Sequence, residues 1–188
     1  MKSRALNPLK LDVESFAREG GSLDGEWPAA ELPRLADTAA PEAPASGWPA
    51  VRWAAEGEIR TPRGSEPQIW MRLDAQAQVA QTCQRCLQPV VEEVAMSRWF
   101  RFVRDEDQAA ELDMDSEDDV LALPRVLNLQ ELAEDELLLA LPLVPRHEVC
   151  PEPLPLAEPD ELEEEAEKER PHPFAALAAL KKGTAGKA

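Results

Sequence analysis

Tyrosine is absent from this chain, and phenylalanine occurs only four times against five tryptophans. A core of clustered phenyl and phenol rings is therefore excluded. Leucine, valine and alanine must fill it around a few tryptophan anchors. Long apolar runs are missing too. The most apolar stretch, Leu137 to Val144, is short and contains Pro142, so it offers no membrane-spanning helix. The opening MKSRALNPLKLDVESF holds no apolar stretch of signal-peptide length. Three cysteines make a poor disulfide framework. A soluble protein of the reducing cytoplasm, with no membrane partner, is the expectation.

The loops that mark common enzymes are equally missing. Only eight glycines occur, none in a phosphate-loop pattern, and there is no Gly-x-Ser-x-Gly, no His-Glu-x-x-His and no EF-hand loop. The sequence therefore implies a non-enzymatic protein with no catalytic residues and no small-molecule substrate.

What is abundant is acid. The net charge is −17. Residues 105–119 (DEDQAAELDMDSEDD) carry nine acids and no base, and residues 157–170 carry eight acids and two bases. Such runs read as solvated segments, which leaves an expected folded part close to neutral.

The pattern along the chain changes period twice. Leu11, Val13, Phe16 and Ala17 line one face of a short helix that Glu19-Gly20-Gly21-Ser22 would stop. SLDGEWPAAELPRLADT mixes helical and loop signals, and APEAPASG (40–47) reads as a loop. From Val51 the period becomes two, through Trp53, Ala55, Gly57 and Ile59. It resumes through Ile69, Met71, Leu73, Ala75, Ala77 and Val79, and again through Val94, Met96, Phe100 and Phe102. VLAL (120–123) suggests a short further strand. Leu129, Leu132, Ala133, Leu137, Ala140 and Leu141 share a helix face after the N-cap Asn128. The expected fold is one α+β domain over about residues 5–152. It has an antiparallel sheet, a packed helix at about 128–141 and a disordered acidic loop at 105–119. An acidic, Pro/Glu-rich tail at 153–188 ends in a short apolar motif.

Chemistry concentrates in the cysteines. Cys83 and Cys86 fall between two antiparallel strands, and His147 and Cys150 follow the long helix at a similar spacing. Together they offer the four nitrogen and sulfur ligands that zinc favours. Two alternatives stay open: a redox-active dithiol at Cys83 and Cys86 with Arg85 beside it, or buried cysteines with a surface histidine. A second constellation, RWFRFVR (98–104), interleaves Arg98, Arg101 and Arg104 with Trp99, Phe100 and Phe102. Arginine beside aromatic rings is a way of holding unpaired RNA; a core strand flanked by arginines is the plainer reading. On the strand, Trp99, Arg101 and Val103 would share one face. Arg85, Arg98, Trp99, Arg101 and Arg104 are the candidate RNA or partner contacts.

Three stretches in this order, TCQRCLQPV (82–90), LNLQELAEDELLLALPLVPRHEVC (127–150) and PHPFAALAALKK (171–182), resemble the bacterial large ribosomal RNA subunit accumulation protein family, YceD. LDVESFAREGGSLDGEWPAAELPRLA is similar to that family's N-terminal portion. The resemblance falls on Cys83, Gln84, Arg85, Cys86 and Leu87, then on Glu136, Leu137, Pro142, Pro145, His147 and Cys150. It implies ribosome biogenesis: a role in the synthesis, processing or stability of 23S ribosomal RNA, with no enzymatic activity. The implied partners are a 23S rRNA precursor or large-subunit ribosomal proteins. The competing expectation is a thiol-based redox protein built on the Cys-x-x-Cys dithiol.

Overall fold

A computed structural model describes residues 6–151. The expected tail, 153–188, and its apolar motif lie outside the described residues. Within them, the elements are α1 (Val13–Arg18), β1 (Ser22–Trp27), α2 (Pro33–Ala36), β2 (Val51–Arg60), β3 (Gln68–Thr82), β4 (Pro89–Val103), α3 (Glu106–Asp113), β5 (Asp119–Ala122) and α4 (Leu129–Leu139). The strands form one sheet in the order β1-β2-β3-β4-β5. Every pairing is antiparallel except β4 with β5, which is parallel. No helix among the described residues is long and apolar enough to cross a membrane.

One sheet face is apolar and carries the core. Trp53, Ala55, Met71, Leu73, Ala75, Val79, Val94, Met96 and Phe100 are buried there, with Leu11, Val13 and Phe16 from the N-terminal segment and Leu129, Ala133 and Leu137 from α4. Trp27 and Trp53 stack at 4.5 Å between ring centroids, 11° from parallel. Helix α1 ends in the expected glycines. Gly20 takes φ +59, and Gly20 and Gly21 donate back to Ala17 O and Phe16 O, satisfying the last carbonyls. Gly57 permits the close approach of α1, because a Cβ there would meet the Phe16 ring at 2.6 Å and Ala17 Cα at 2.9 Å.

The sequence pattern located β2, β3, β4, β5, α1 and α4, but not β1. Ser22–Trp27 holds two acids and Gly25, so its propensity is poor. Its pairing with β2, from Ser22↔Glu56 to Trp27↔Val51, makes it a strand. The acidic stretch requires a larger correction. Residues 105–119 are not a disordered loop; they contain α3 and the start of β5. Asp105 caps α3 by accepting from Gln108 N at 3.0 Å, and Glu106 and Asp107 lie in the first turn, where the helix dipole favours negative charge. Ala109 packs with Val103 and Val120, Leu112 lies against them, and Asp113 Oδ1 accepts from Val120 N. The inward contacts of Ala109, Leu112 and Asp113 outweighed a composition that reads as solvent. The folded body is consequently far from neutral: residues 6–151 contain 28 Asp and Glu against 13 Arg and Lys.

Helix α4 carries two buried glutamates, Glu134 facing α2 and Glu136 facing Arg98 of β4. Asn128 Oδ1 caps it by accepting from Gln130 N and Glu131 N. Leu11 and Leu127 exchange both backbone hydrogen bonds at 2.8 Å just before it. Glu134 accepts from the backbone N–H groups of Arg34 and Leu35 at 2.7 and 3.0 Å. It thereby serves as the N-terminal cap that α2 lacks, since Leu32 has no capping side chain. Arg34 also grips Glu134 and Asp135. Glu136 behaves differently. Arg98 Nε lies 2.7 Å from its Oε2, yet without hydrogen-bond alignment. Burial pushes the Glu136 carboxyl up, Arg98 opposes this, and Asp119 and Asp135 add to the rise.

Opposite outcomes follow for the two neighbours. Glu134→Ala should destabilise the fold by about 1–3 kcal/mol, because two backbone donors lose their acceptor. Glu136→Gln should leave stability at neutral pH unchanged or higher. A raised folded pKa means that Glu136 supports folding most below its ordinary value, near 4.3, and that this support is lost as pH rises through the folded value. Melting curves of Glu136→Gln across that window should therefore fall less with pH than those of the parent. A steeper fall would contradict the assignment.

Candidate metal centre

Strands β3 and β4 outreach their neighbours. β2 pairs with β3 only as far as Gln76, and β5 pairs with β4 only from Phe100. Beyond these points Ala77–Thr82 and Pro89–Val94 pair with each other alone as a two-stranded ribbon. Ala40 N donates to Ala80 O midway along it. Val79 and Val94 tie this ribbon to the core, but a two-stranded ribbon alone is marginal in water, so the tip beyond them needs support of its own.

The tip is the Cys-x-x-Cys turn. Cys83 N donates to Gln88 O, and Leu87 N to Cys83 O, both at 2.9 Å. The chain after α4 returns to this turn: Gln84 N donates to Pro145 O at 2.9 Å. Arg85 fastens the contact further, its Nη2 donating to the carbonyls of His147 and Glu148 at 2.9 and 3.1 Å. Cys83, Cys86 and Val90 form a small buried cluster with Cys150 packed on it.

Four side-chain groups converge as a result. The ligand atoms of Cys83, Cys86, His147 and Cys150 all lie within 4.8 Å of one another. Cys83 Sγ is 3.9 Å from Cys150 Sγ, and Cys86 Sγ is 3.4 Å from His147 Nδ1. The cysteines are free thiols. Burial pushes the Cys83 thiol up, but hydrogen bonds from the Arg85, Cys86 and His147 backbone and the His147 ring bring it down to about 5. Burial raises Cys86, which shares the site with the other two thiols. Arg85 Nε donates to Cys150 Sγ at 2.9 Å. A cluster of three thiols and an imidazole can hold a metal ion.

A family model described as "Large ribosomal RNA subunit accumulation protein YceD" matches residues 71–181. The chain belongs to the YceD family. The YceD match starts in β3 and takes in both halves of the cluster, together with α3, β5 and α4. No solved structure matches the chain.

The five residues singled out as RNA or partner contacts do not form one surface. Arg85 is committed to the tip. Arg98 turns toward α4, with Glu136 at 2.7 Å and Asp119 at 3.4 Å. Arg104 pairs with its neighbour Asp105 at 2.8 Å. Trp99 and Arg101 share the sheet face opposite the core, as the alternation required. There they meet Trp70 and Arg72, their partners across β3, and Arg60 at the end of β2. The sequence signal for Trp70, Arg72 and Arg60 was the polar half of the same alternation.

Leu87 closes the Cys turn at φ +62, a left-handed conformation that costs a non-glycine residue roughly 1–2 kcal/mol. Its side chain is 55% exposed, so little burial compensates. Leu87→Gly should raise stability by up to about 1 kcal/mol, after allowing for glycine's looser unfolded state. Chemical denaturation would check this; a lower midpoint would show that the leucine side chain holds the tip.

Proposed function

We propose that this chain supports accumulation of the large ribosomal subunit's RNA as a non-enzymatic assembly factor whose Cys/His cluster binds one structural zinc ion. The family match over residues 71–181 carries the ribosomal part of this reading. The geometry of the tip supports the metal part. Tetrahedral zinc, with Zn–S near 2.3 Å and Zn–N near 2.0–2.1 Å, sets ligand–ligand edges of roughly 3.5–3.8 Å. The Cys83–Cys150 and Cys86–His147 separations of 3.9 and 3.4 Å are close to those edges.

Charge supports the same donor set. Three thiolates and a neutral imidazole around a divalent ion leave one negative charge. Arg85, whose guanidinium donates to Cys150 Sγ, stands where it offsets that charge. The ion's contribution is mechanical: it joins the β3–β4 tip to the segment after α4. No catalytic residue is assigned. A redox reading of Cys83 and Cys86 is less well supported. Both thiols are buried, and each faces a further donor from residues 147–150.

A 23S rRNA precursor or a basic large-subunit ribosomal protein is the proposed partner, and an acidic body suits the second through charge. Depletion of the protein in its own cells should lower 23S relative to 16S rRNA, with recovery on re-expression. An unchanged ratio under complete depletion would remove the ribosomal reading, whatever the metal content of the cluster.

A further inference from the structure

Helix α4 ends in a turn whose apolar surface the sheet does not use up. Leu137 is buried there, and Leu138 and Leu141 pack against the core. By contrast, Leu139 is 75% exposed, Leu143 is fully exposed and Val144 is more than half exposed. Leu9, Met114 and Val126 are exposed singly elsewhere, as apolar surface residues often are. Between Leu139 and Val144, however, three large apolar side chains reach solvent within six residues. Such clustering marks an interaction site. A helix turn that is apolar all round is ordinarily covered on every side.

We infer that the exposed face of α4 docks a basic segment of a partner protein. Its apolar side chains lie on Leu139, Leu143 and Val144, and its Lys or Arg side chains in an acidic groove beside α2. The inference deepens the ribosomal reading and rests on it for the kind of partner, a basic large-subunit protein. Charge selects this occupant. Glu131, Asp135 and Leu139 follow one another at four-residue spacing and are all exposed, so acid and leucine share one stripe of the helix. Glu31, Arg34, Glu131, Glu134 and Asp135 line a groove of about 460 Å³ there. Arg34 pairs with Glu134 and Asp135, which leaves Glu31 and Glu131 without an ion pair among the described residues. From Glu131 to Leu139 the helix rises about 12 Å, which sets the spacing of basic and apolar side chains on the partner.

The same charge disfavours other occupants. Residues 129–151 hold five acids and one arginine, on a body with 28 acids and 13 bases. Such a surface repels an RNA backbone, and a second copy of the chain brings more acid to it. A basic segment gains at both ends of the stripe. Its charges steer it to the groove, and its apolar side chains leave water at the helix end. Salt screens the first contribution and leaves the second, so affinity falls with ionic strength without vanishing. Leu143 and Val144 also follow a fixed path, because Gln84 N donates to the next residue's carbonyl, Pro145 O, at 2.9 Å.

The test uses the full chain and the large-subunit ribosomal proteins of its own cells, freed of RNA. A photoreactive benzoylphenylalanine in place of Leu143 should cross-link the chain to a basic large-subunit protein. The same group in place of Met114 should not. Affinity for that protein, once purified, should fall about tenfold or more in Leu139→Ser and in Glu131→Lys, the scale of one lost anchor. Met114→Ser should leave it unchanged. Melting curves establish that each variant is folded. No cross-link from position 143 to a large-subunit protein, or equal affinity for all four proteins, overturns the inference. A cross-link only to a second copy of the chain, or only to added 23S rRNA, overturns it as well. Lowered 23S rRNA on depletion with no such cross-link keeps the ribosomal reading and rejects this face, so the two failures are separable.

Discussion

The join between the Cys83–Gln88 turn and residues 145–150 holds the tip of the β3–β4 ribbon, beyond the reach of the main core. Past Gln76 and Phe100 these strands lose their flanking partners, and their tip rests on a cluster of three cysteines and Val90. That apolar group is small, and the turn it supports includes a leucine at positive φ. Three backbone acceptors in residues 145–148, two of them reached by Arg85, supply part of the missing stability. Four converging donors supply the means for the rest. In this arrangement α4 is the lever arm. Buried Leu129, Ala133 and Leu137 fix it on the sheet, Glu134 fixes it to α2, and the chain that leaves it reaches the tip.

Sequence alone revealed much of this because two periodicities are clean. The alternation from Ile69 to Val79 and from Val94 to Phe102 placed the Cys-x-x-Cys at a hairpin tip, and the N-cap at Asn128 placed α4. The Cys/His quartet was legible as two pairs; only the path of residues 142–150 shows that they meet. Where reading failed, charge or composition hid the structure. Helix α3 has a capping aspartate and one buried alanine within a stretch, 105–119, that carries nine acids, so its helical signal is local and the composition is that of a solvated loop. Strand β1 owes its conformation to β2. Arg85 and Arg98 looked available for a partner, since sequence cannot show that one is held by backbone carbonyls and the other by α4.

An acidic, folded body changes how a ribosomal role should be understood. Fields of several kT around such a surface attract basic proteins and repel RNA.

The decisive measurement is elemental analysis, with a free-thiol count, of full-length protein purified without a tag or chelator. One zinc per chain, absent from the Cys83→Ser and Cys150→Ser variants, is the expected result. A metal-free, folded protein with three reactive thiols would contradict the clamp and leave the tip to its backbone hydrogen bonds.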